Sequence, residues 1–335
     1  MKLSSLINED DFVLLGPEYG QPGPMWTLFR DVKAVPLHER VEHAVWLGRY
    51  ETSGREPLRL TGTRVETVAL EFDVPAPPLE VTLDETGFTA GVAAIREAIA
   101  AGDVYQVNLT RPAMLQCNNG AQLLSTLCRR QVPRFAAWFK LRGVWEVVTA
   151  SPELLFELDG RTIRSEPMKG TASPESRAWL EKSVKDEAEL AMITDLLRDD
   201  LNHVCVERSV AVQNARRFIE LPYVIQAVSD VTGLLRSNMT IVDVLAQLHP
   251  GGSVTGAPRQ AARAMISKLE QVPRDFYCGF LGYEKGAQAR VALLIRTAQR
   301  VSGDQWRYGA GSGITWDSEP RLELAELKMK LGALS

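Results

Sequence analysis

Asp159-Gly160 separates two strand-like runs, Leu154–Leu158 and Thr162–Ser165, in a chain of 335 residues. Asp-Gly fits the positive backbone angles of a two-residue hairpin turn, so these runs are expected to pair antiparallel. The hairpin leads directly into Arg164-Ser165-Glu166-Pro167-Met168-Lys169-Gly170-Thr171. Pro167 fixes its own φ, and Gly170 can take φ > 0 or let a ligand approach the backbone, which predicts that Lys169 is held on a defined turn. A lysine held in this way suits work as an amine. Taken alone, the octapeptide also fits a solvated loop lysine.

With 45% hydrophobic and 24% charged residues, the chain can bury one large core or two closely joined lobes. A net charge of −4 and a pI of 5.8 give no electrostatic reason to expect nucleic acid or an anionic membrane as partner. The start turns acidic at Glu9-Asp10-Asp11 before any apolar signal core forms, and no apolar stretch is long enough to span a bilayer. A cytoplasmic protein is expected. Cys117, Cys128, Cys205 and Cys278 form no C-x-x-C pair and are expected as reduced thiols. His38, His43, His203 and His249 lack metal-ligand spacing, so any metal should be held by oxygen.

Residues 1–80 carry short apolar runs at Phe12–Leu15, Met25–Phe29, Ala44–Leu47 and Val65–Phe72, broken by turn signals at Gly16-Pro17 and residues 20–24. They read as strands and turns without chemistry of their own, with Ala76-Pro77-Pro78 as a connector. Phe88, Val92, Ile95 and Ile99 then form a helical stripe that ends at Ala101-Gly102. In the following strand Val104, Gln106, Asn108 and Thr110 share one face. Gln106 and Asn108 could line a site there, or belong to an exposed strand face. A helix near Ala121–Arg129 and strands at Phe135–Lys140 and Val144–Ala150 lead to Ser151-Pro152-Glu153. One long helix is predicted from Glu175 to about Cys205, with Leu180, Val184, Ala188, Ala191, Met192, Leu196, Leu197 and Leu201 as its apolar stripe. Glu189 lies beside that stripe, either as a partly buried carboxylate or as an ordinary boundary residue.

Strands around Ser209–Val212, Phe218–Glu220 and Val224–Val231 precede a helix at Ile241–Leu248. The segment from His249 to Arg259, rich in Gly, Ser and Thr, opens a further helix to about Leu269, with Pro258 suited to its first position. Its backbone N–H groups could cradle a carboxylate or phosphate, or simply make a tight turn. A meander follows at Tyr277–Tyr283, Ala289–Val301 and Trp306–Gly309. Arg296 interrupts the apolar run Val291–Ile295, and a buried arginine requires an anion from protein or ligand. Gly309-Ala310-Gly311-Ser312-Gly313 reads as a glycine loop open to close backbone approach. The final helix carries Glu319, Glu323 and Glu326. Glu323 and Glu326 could hold a hard cation with water, or form a solvated face paired with Lys328 and Lys330.

Taken in order, Gly102–Leu109, Ser151-Pro152-Glu153, Pro167–Thr171, Asp195–Leu201, Pro250–Pro258, Ile295-Arg296-Thr297 and Gly311–Ile314 resemble the motifs of the chorismate-utilising enzymes. Within that family the chain looks most like the component I aminodeoxychorismate synthases, from about Phe88 onward. The resemblance implies an α+β fold of layered antiparallel sheets flanked by helices, with the active site between the layers. Residues 81–335 would be the chorismate-binding catalytic domain, and 1–80 a shortened strand-rich segment joined to the same globule. Glu189 and Glu326 would ligate Mg²⁺, which binds the ring carboxylate of chorismate, with Glu323 close by. Arg296 and Tyr283 would hold the enolpyruvyl carboxylate, assisted by backbone N–H groups of Gly311, Ser312 and Gly313. Gly170, Thr171 and Thr255 would line the pocket.

Lys169 separates the subfamilies. The resemblance implies that this lysine attacks C2 of chorismate with loss of the C4 hydroxyl, whereas relatives making anthranilate or isochorismate usually carry alanine. Ammonia then attacks C4 and expels the lysine. The attacking amine must be neutral. Glu153 is the matching general acid, a role that needs a raised carboxyl pKa. Gln106 stands where isochorismate synthases place a water-activating lysine, so its identity favours ammonia. Gln226 replaces a histidine common in relatives, Asp199 a usual asparagine and Arg259 a usual lysine. No leucine-rich tryptophan-binding segment is matched, so feedback by tryptophan is not expected. No glutaminase cysteine motif is present either, which implies a separate glutamine amidotransferase subunit as the ammonia source. The alternatives are anthranilate synthase component I, and a scaffold without turnover; the latter predicts loss of Glu189, Glu326 or Arg296, all of which are present.

Overall fold

The computed structural model describes all residues except 20–23, 53–55, 130–131, 142, 221–223, 333 and 335. Most of the turn signal at residues 20–24 therefore lies outside the described residues. The frame is a seventeen-stranded sheet and a separate three-stranded sheet. The large sheet joins distant parts of the chain: His43–Gly48 pairs antiparallel with Phe280–Lys285, and Leu154–Asp159 pairs with both Thr162–Ser165 and Gln288–Leu293.

Alternation along the strands explains the layering. Phe12 and Leu14 enter one apolar cluster while Val13 and Leu15 enter a second, and Trp138 and Phe139 or Leu293 and Leu294 divide in the same way. Strands that are apolar on both faces must have both faces covered. Each fully buried large side chain contributes about 1.5–3 kcal/mol. Helices Glu85–Ala100, Gly120–Cys128 and Ile241–Leu248 supply Phe88, Val92, Leu123, Leu124, Val244 and Leu245 to the first cluster. The layered antiparallel fold with flanking helices is the one expected from sequence. Among the described residues no helix is long and apolar enough to cross a membrane.

The hairpin forms, but its two turn residues are Gly160, at φ 58°, and Arg161; Asp159 is the last residue of its strand, opposite Thr162. Lys169, however, is not on a turn. Met168–Ala172 is a strand paired with Ile225–Leu234. It continues the register of Thr162–Ser165 on the same partner, with Ser165 opposite Val231 and Met168 opposite Val228. One extra residue then enters between Met168 and Thr171. This bulge holds Lys169 and Gly170, and Gly170 adopts φ 87°, a left-handed conformation that glycine takes without strain.

Four other expectations are corrected. The long helix divides at Ser183, whose extended backbone ends Arg177–Lys182 and whose hydroxyl caps Val184–Asn202 at Asp186. Restarting the helix turns its buried face to Leu190, Ile193, Thr194 and Leu201, leaving Val184, Ala188 and Ala191 exposed. The Ala289–Val301 run breaks into Gln288–Leu293 and Thr297–Ser302 around Arg296, which sits at φ 51°. Gly311–Ile314 is a strand rather than a loop, paired with Gln106–Thr110, which also pairs with Gly256–Ala257 to complete the small sheet. Pro258 caps the Arg259–Leu269 helix instead of entering it.

Candidate active site

Gly313 is the meeting point. A Cβ built there would stand 2.6 Å from Gln106 Nε2 and 3.0 Å from Lys169 Nζ, so bare backbone is what admits both groups. Lys169 Nζ lies 3.3 Å from Glu189 Oε2 on the Val184–Asn202 helix. From the same helix Lys185 reaches Glu189 Oε1 at 4.0 Å and Glu323 Oε1 at 3.8 Å. On the Pro320–Leu331 helix, Lys330 Nζ donates to Gly311 O at 2.8 Å and pairs with Glu326 Oε1 at 2.7 Å. Three carboxylates and three ammonium groups thus ring the Gly311–Gly313 segment.

Glu323 does not belong to a solvated acidic face. It is 3% exposed, and its two oxygens accept from Ser312 and, at 2.6 Å, from Ser318. Burial alone would raise the Glu326 carboxyl, but the Lys330, Lys185 and Lys169 charges bring it below its ordinary value. Gln106, Asn108 and Thr110 are buried, so the exposed-face alternative for their strand does not hold. The Gln106 side-chain oxygen has no protein partner among the described residues, and neither has that of Gln226.

Glu153 follows the strand Trp145–Ser151 and is buried beside the short helix Gly252–Thr255. Burial pushes its carboxyl up to about 7, and the Ser253 hydrogen bond and the Lys169 charge oppose this only in part. The Ser253 hydroxyl donates to Glu153 Oε1 at 3.2 Å. A cavity of about 30 Å³ touches Glu153, Ser165, Pro167, Gly251 and Ser253. Thr255 is fully buried, and its hydroxyl is committed to Gly251 O at 2.8 Å. Arg274 locks this region to the small sheet, donating to Val254 O at 2.6 Å and Asn108 O at 2.7 Å while paired with buried Glu270.

Not every expected residue joins this group. Tyr283 lies in the second apolar cluster, its hydroxyl bonded to His43 Nδ1 at 2.8 Å. A groove of about 590 Å³ opens beside Tyr283 and is also lined by Tyr19, Glu157, Arg164 and Arg290. Its size is no argument for the chemistry, because none of the residues gathered at Gly313 lines it. The tyrosine that meets the glycine segment is Tyr277, whose ring comes within 2.0 Å of where a Gly309 Cβ would stand. Sequence reasoning passed over it because Tyr277 and Tyr283 share one apolar run. Arg296 is only partly buried and forms no ion pair among the described residues. Gly170 backs onto Leu180 and Asp186 instead of facing open space. Thr171 is exposed, opposite Gln226 in the ladder. Lys185, Lys330 and Ser253 were also missed as site residues; only their tertiary partners distinguish them from surface groups.

Among the described residues no three His, Cys, Asp or Glu side chains gather closely enough to complete a metal site by themselves. Glu323 has both oxygens engaged by serines, so the available carboxylates are Glu189 and Glu326. Mg²⁺ commonly takes one or two carboxylates and keeps several waters, and an all-oxygen pair fits that habit.

A family model described as chorismate binding enzyme matches residues 19–335. Anthranilate synthase component 1 of Aeropyrum pernix is 30% identical over 290 residues, which cover 84% of this chain and 65% of that protein. An aminodeoxychorismate synthase of Streptomyces griseus is 32% identical over 303 residues, covering 85% of this chain and 42% of that protein. The chain therefore spans less than two thirds of the length of these relatives. In fold it is similar to MenF, the menaquinone-specific isochorismate synthase of Escherichia coli, with a TM-score of 0.77 at 21% identity, covering 99% of this chain and 90% of that one.

Proposed function

The chain belongs to the chorismate-binding enzyme family, and on that footing we propose that it converts chorismate and ammonia to 4-amino-4-deoxychorismate. The observation that carries this reading is the Lys169 amine, set against Gly313 and 3.3 Å from Glu189. A neutral Lys169 amine forms a bond to C2 of chorismate as both ring double bonds shift, C1=C2 to C1=C6 and C5=C6 to C4=C5, and the C4–O bond breaks. Glu153 supplies the proton that lets the hydroxyl leave as water, a task suited to a carboxyl near 7. Ammonia then bonds to C4, both double bonds return to C5=C6 and C1=C2, and the C2–N bond to Lys169 breaks. Arg296, with no protein ion pair among the described residues, is available for a substrate carboxylate.

Mg²⁺, held by Glu189 and Glu326, would supply positive charge for the ring carboxylate. Ammonia would come from a separate glutamine amidotransferase subunit, with ammonium salts as the substitute in vitro. Similarity to the Aeropyrum pernix protein favours anthranilate synthase component I as the second reading. The two differ in product. Purified protein is incubated with chorismate, Mg²⁺ and excess ammonium salt, beside Lys169→Ala, and the products are weighed by mass spectrometry. Wild type giving 4-amino-4-deoxychorismate, with the variant losing most of it, supports the lysine route; anthranilate or isochorismate from wild type rejects it.

A further inference from the structure

Glu166 lies in the segment that carries Lys169 but has no part in the chemistry above. Its side chain is 2% exposed and is surrounded by three guanidinium groups. Arg134 Nη2 and Arg164 Nη1 each approach it at 2.8 Å, and Arg217 Nη2 donates to the same carboxylate. Burial alone would raise this carboxyl, yet Arg134 and Arg164 hold it below the usual range. The register that sets Ser165 opposite Val231 and Met168 opposite Val228, carried through the intervening residues, sets Glu166 opposite Asp230. Arg164 and Arg217 also bond Asp230 Oδ1, at 3.0 and 2.9 Å. Two carboxylates facing each other across a ladder repel unless cations bridge them. A slip of one residue would turn Glu166 to the other face and break every one of these contacts.

The ladder is weak immediately beyond Glu166. Pro167 has no N–H to give, and the Lys169-Gly170 bulge leaves one residue unpaired. A bulge displaced by one residue would cost little backbone bonding but would aim Lys169 away from Gly313 and Glu189. We infer that Glu166 is a positioning residue: by tying Arg134, Arg164 and Arg217 to the strand just ahead of the bulge, it fixes the register that delivers the Lys169 amine. The inference rests on reading Lys169 as the working amine.

Glu166→Gln and Asp230→Asn, made in the full chain, separate positioning from general stability. Each removes one charge from the same network, and both are expected to lower Tm. Only Glu166 is in the covalent segment leading to Lys169. Two readouts are taken: kcat and KM for chorismate with ammonium, and the rate at which a small amine-reactive ester labels Lys169, followed by peptide mass spectrometry. Glu166→Gln is expected to lose about 10–100-fold in kcat with KM held, the scale of a misplaced reacting group, and to change the Lys169 labelling rate. Asp230→Asn is expected to keep both near wild type. Activity falling in step with Tm in both variants, or an unchanged labelling rate in Glu166→Gln, overturns the inference. If wild type does not aminate chorismate, the proposed function fails, while the labelling comparison still decides the role of Glu166.

Discussion

Lys169 approaches Gly313 so closely that its Nζ lies 3.0 Å from the point where a Cβ at position 313 would stand. The amine and the glycine come from segments far apart in sequence, brought together by the large sheet on one side and the three-stranded sheet on the other.

Gly313→Ala should therefore disable the site without unfolding the protein. The atoms nearest the new methyl are the ends of two flexible side chains, Gln106 and Lys169, which can move aside. Turnover of chorismate is expected to fall at least about tenfold, since small displacements of reacting groups are costly. Thermal unfolding should stay within about 4 °C of wild type. Unchanged turnover would remove Gly313 from the site.

Glu153 makes stability depend on pH. Its carboxyl is raised from 4.5 to about 7, so the folded protein keeps a proton that the unfolded chain gives up between those values. The resulting stabilisation is complete below pH 4.5 and is lost as pH rises through about 7, on the order of 3 kcal/mol in total. Urea unfolding at about pH 5 and about pH 8 should show a smaller difference for Glu153→Gln than for wild type. The same variant should lose the alkaline decline of kcat/KM near 7.

His249 acts in the opposite sense. Burial lowers its pKa from 6.5 to about 4, and Nδ1 has no partner among the described residues to accept or share a new proton. Stability from the neutral ring is complete above 6.5 and is lost as pH falls through about 4. His249→Gln is expected to flatten this part of the acid-unfolding curve. An unaltered curve would mean that the ring charges without cost in the folded state.

Arg274→Ala should be severely destabilising, by about 3–5 kcal/mol, because it leaves Glu270 buried and unpaired. It also strips donors from Val254 O and Asn108 O. Arg274→Lys should recover little, since an ammonium cannot reproduce the fork. Denaturant unfolding of the two variants measures both effects; a loss below about 1 kcal/mol in the alanine variant would show that the pair adds little.

Much of the architecture was legible locally. The hairpin at Gly160 and the Phe88–Ile99 stripe rest on turn chemistry and periodicity, and both form, the hairpin turn lying one residue later than read, at Gly160-Arg161. Bulges were not legible, because the place of the extra residue at Lys169-Gly170 depends on how Met168–Ala172 meets Ile225–Leu234. The same holds for Gly311–Ile314: its glycines suit a loop, and only the Gln106–Thr110 partner makes it a strand. In the candidate site, residue types in ordered motifs pointed to Lys169, Glu189, Glu323 and Glu326, which the fold does gather. Tyr283 went astray because an apolar run does not say which of its two tyrosines faces which layer.

The ring of side chains around Gly311–Gly313 has a thermodynamic consequence. Lys185 and Lys330 stand against Glu189, Glu323 and Glu326, and the attack requires Lys169 as a neutral amine, so the working nest carries an excess of one negative charge before any ligand enters. A dicarboxylate and a divalent cation arriving together preserve that charge. Either alone changes the charge of the nest by two. Each would then raise the affinity of the other by the same factor. Because their joint uptake moves no net charge, the combined affinity would hold nearly constant as ionic strength rises, while that of either partner by itself would not.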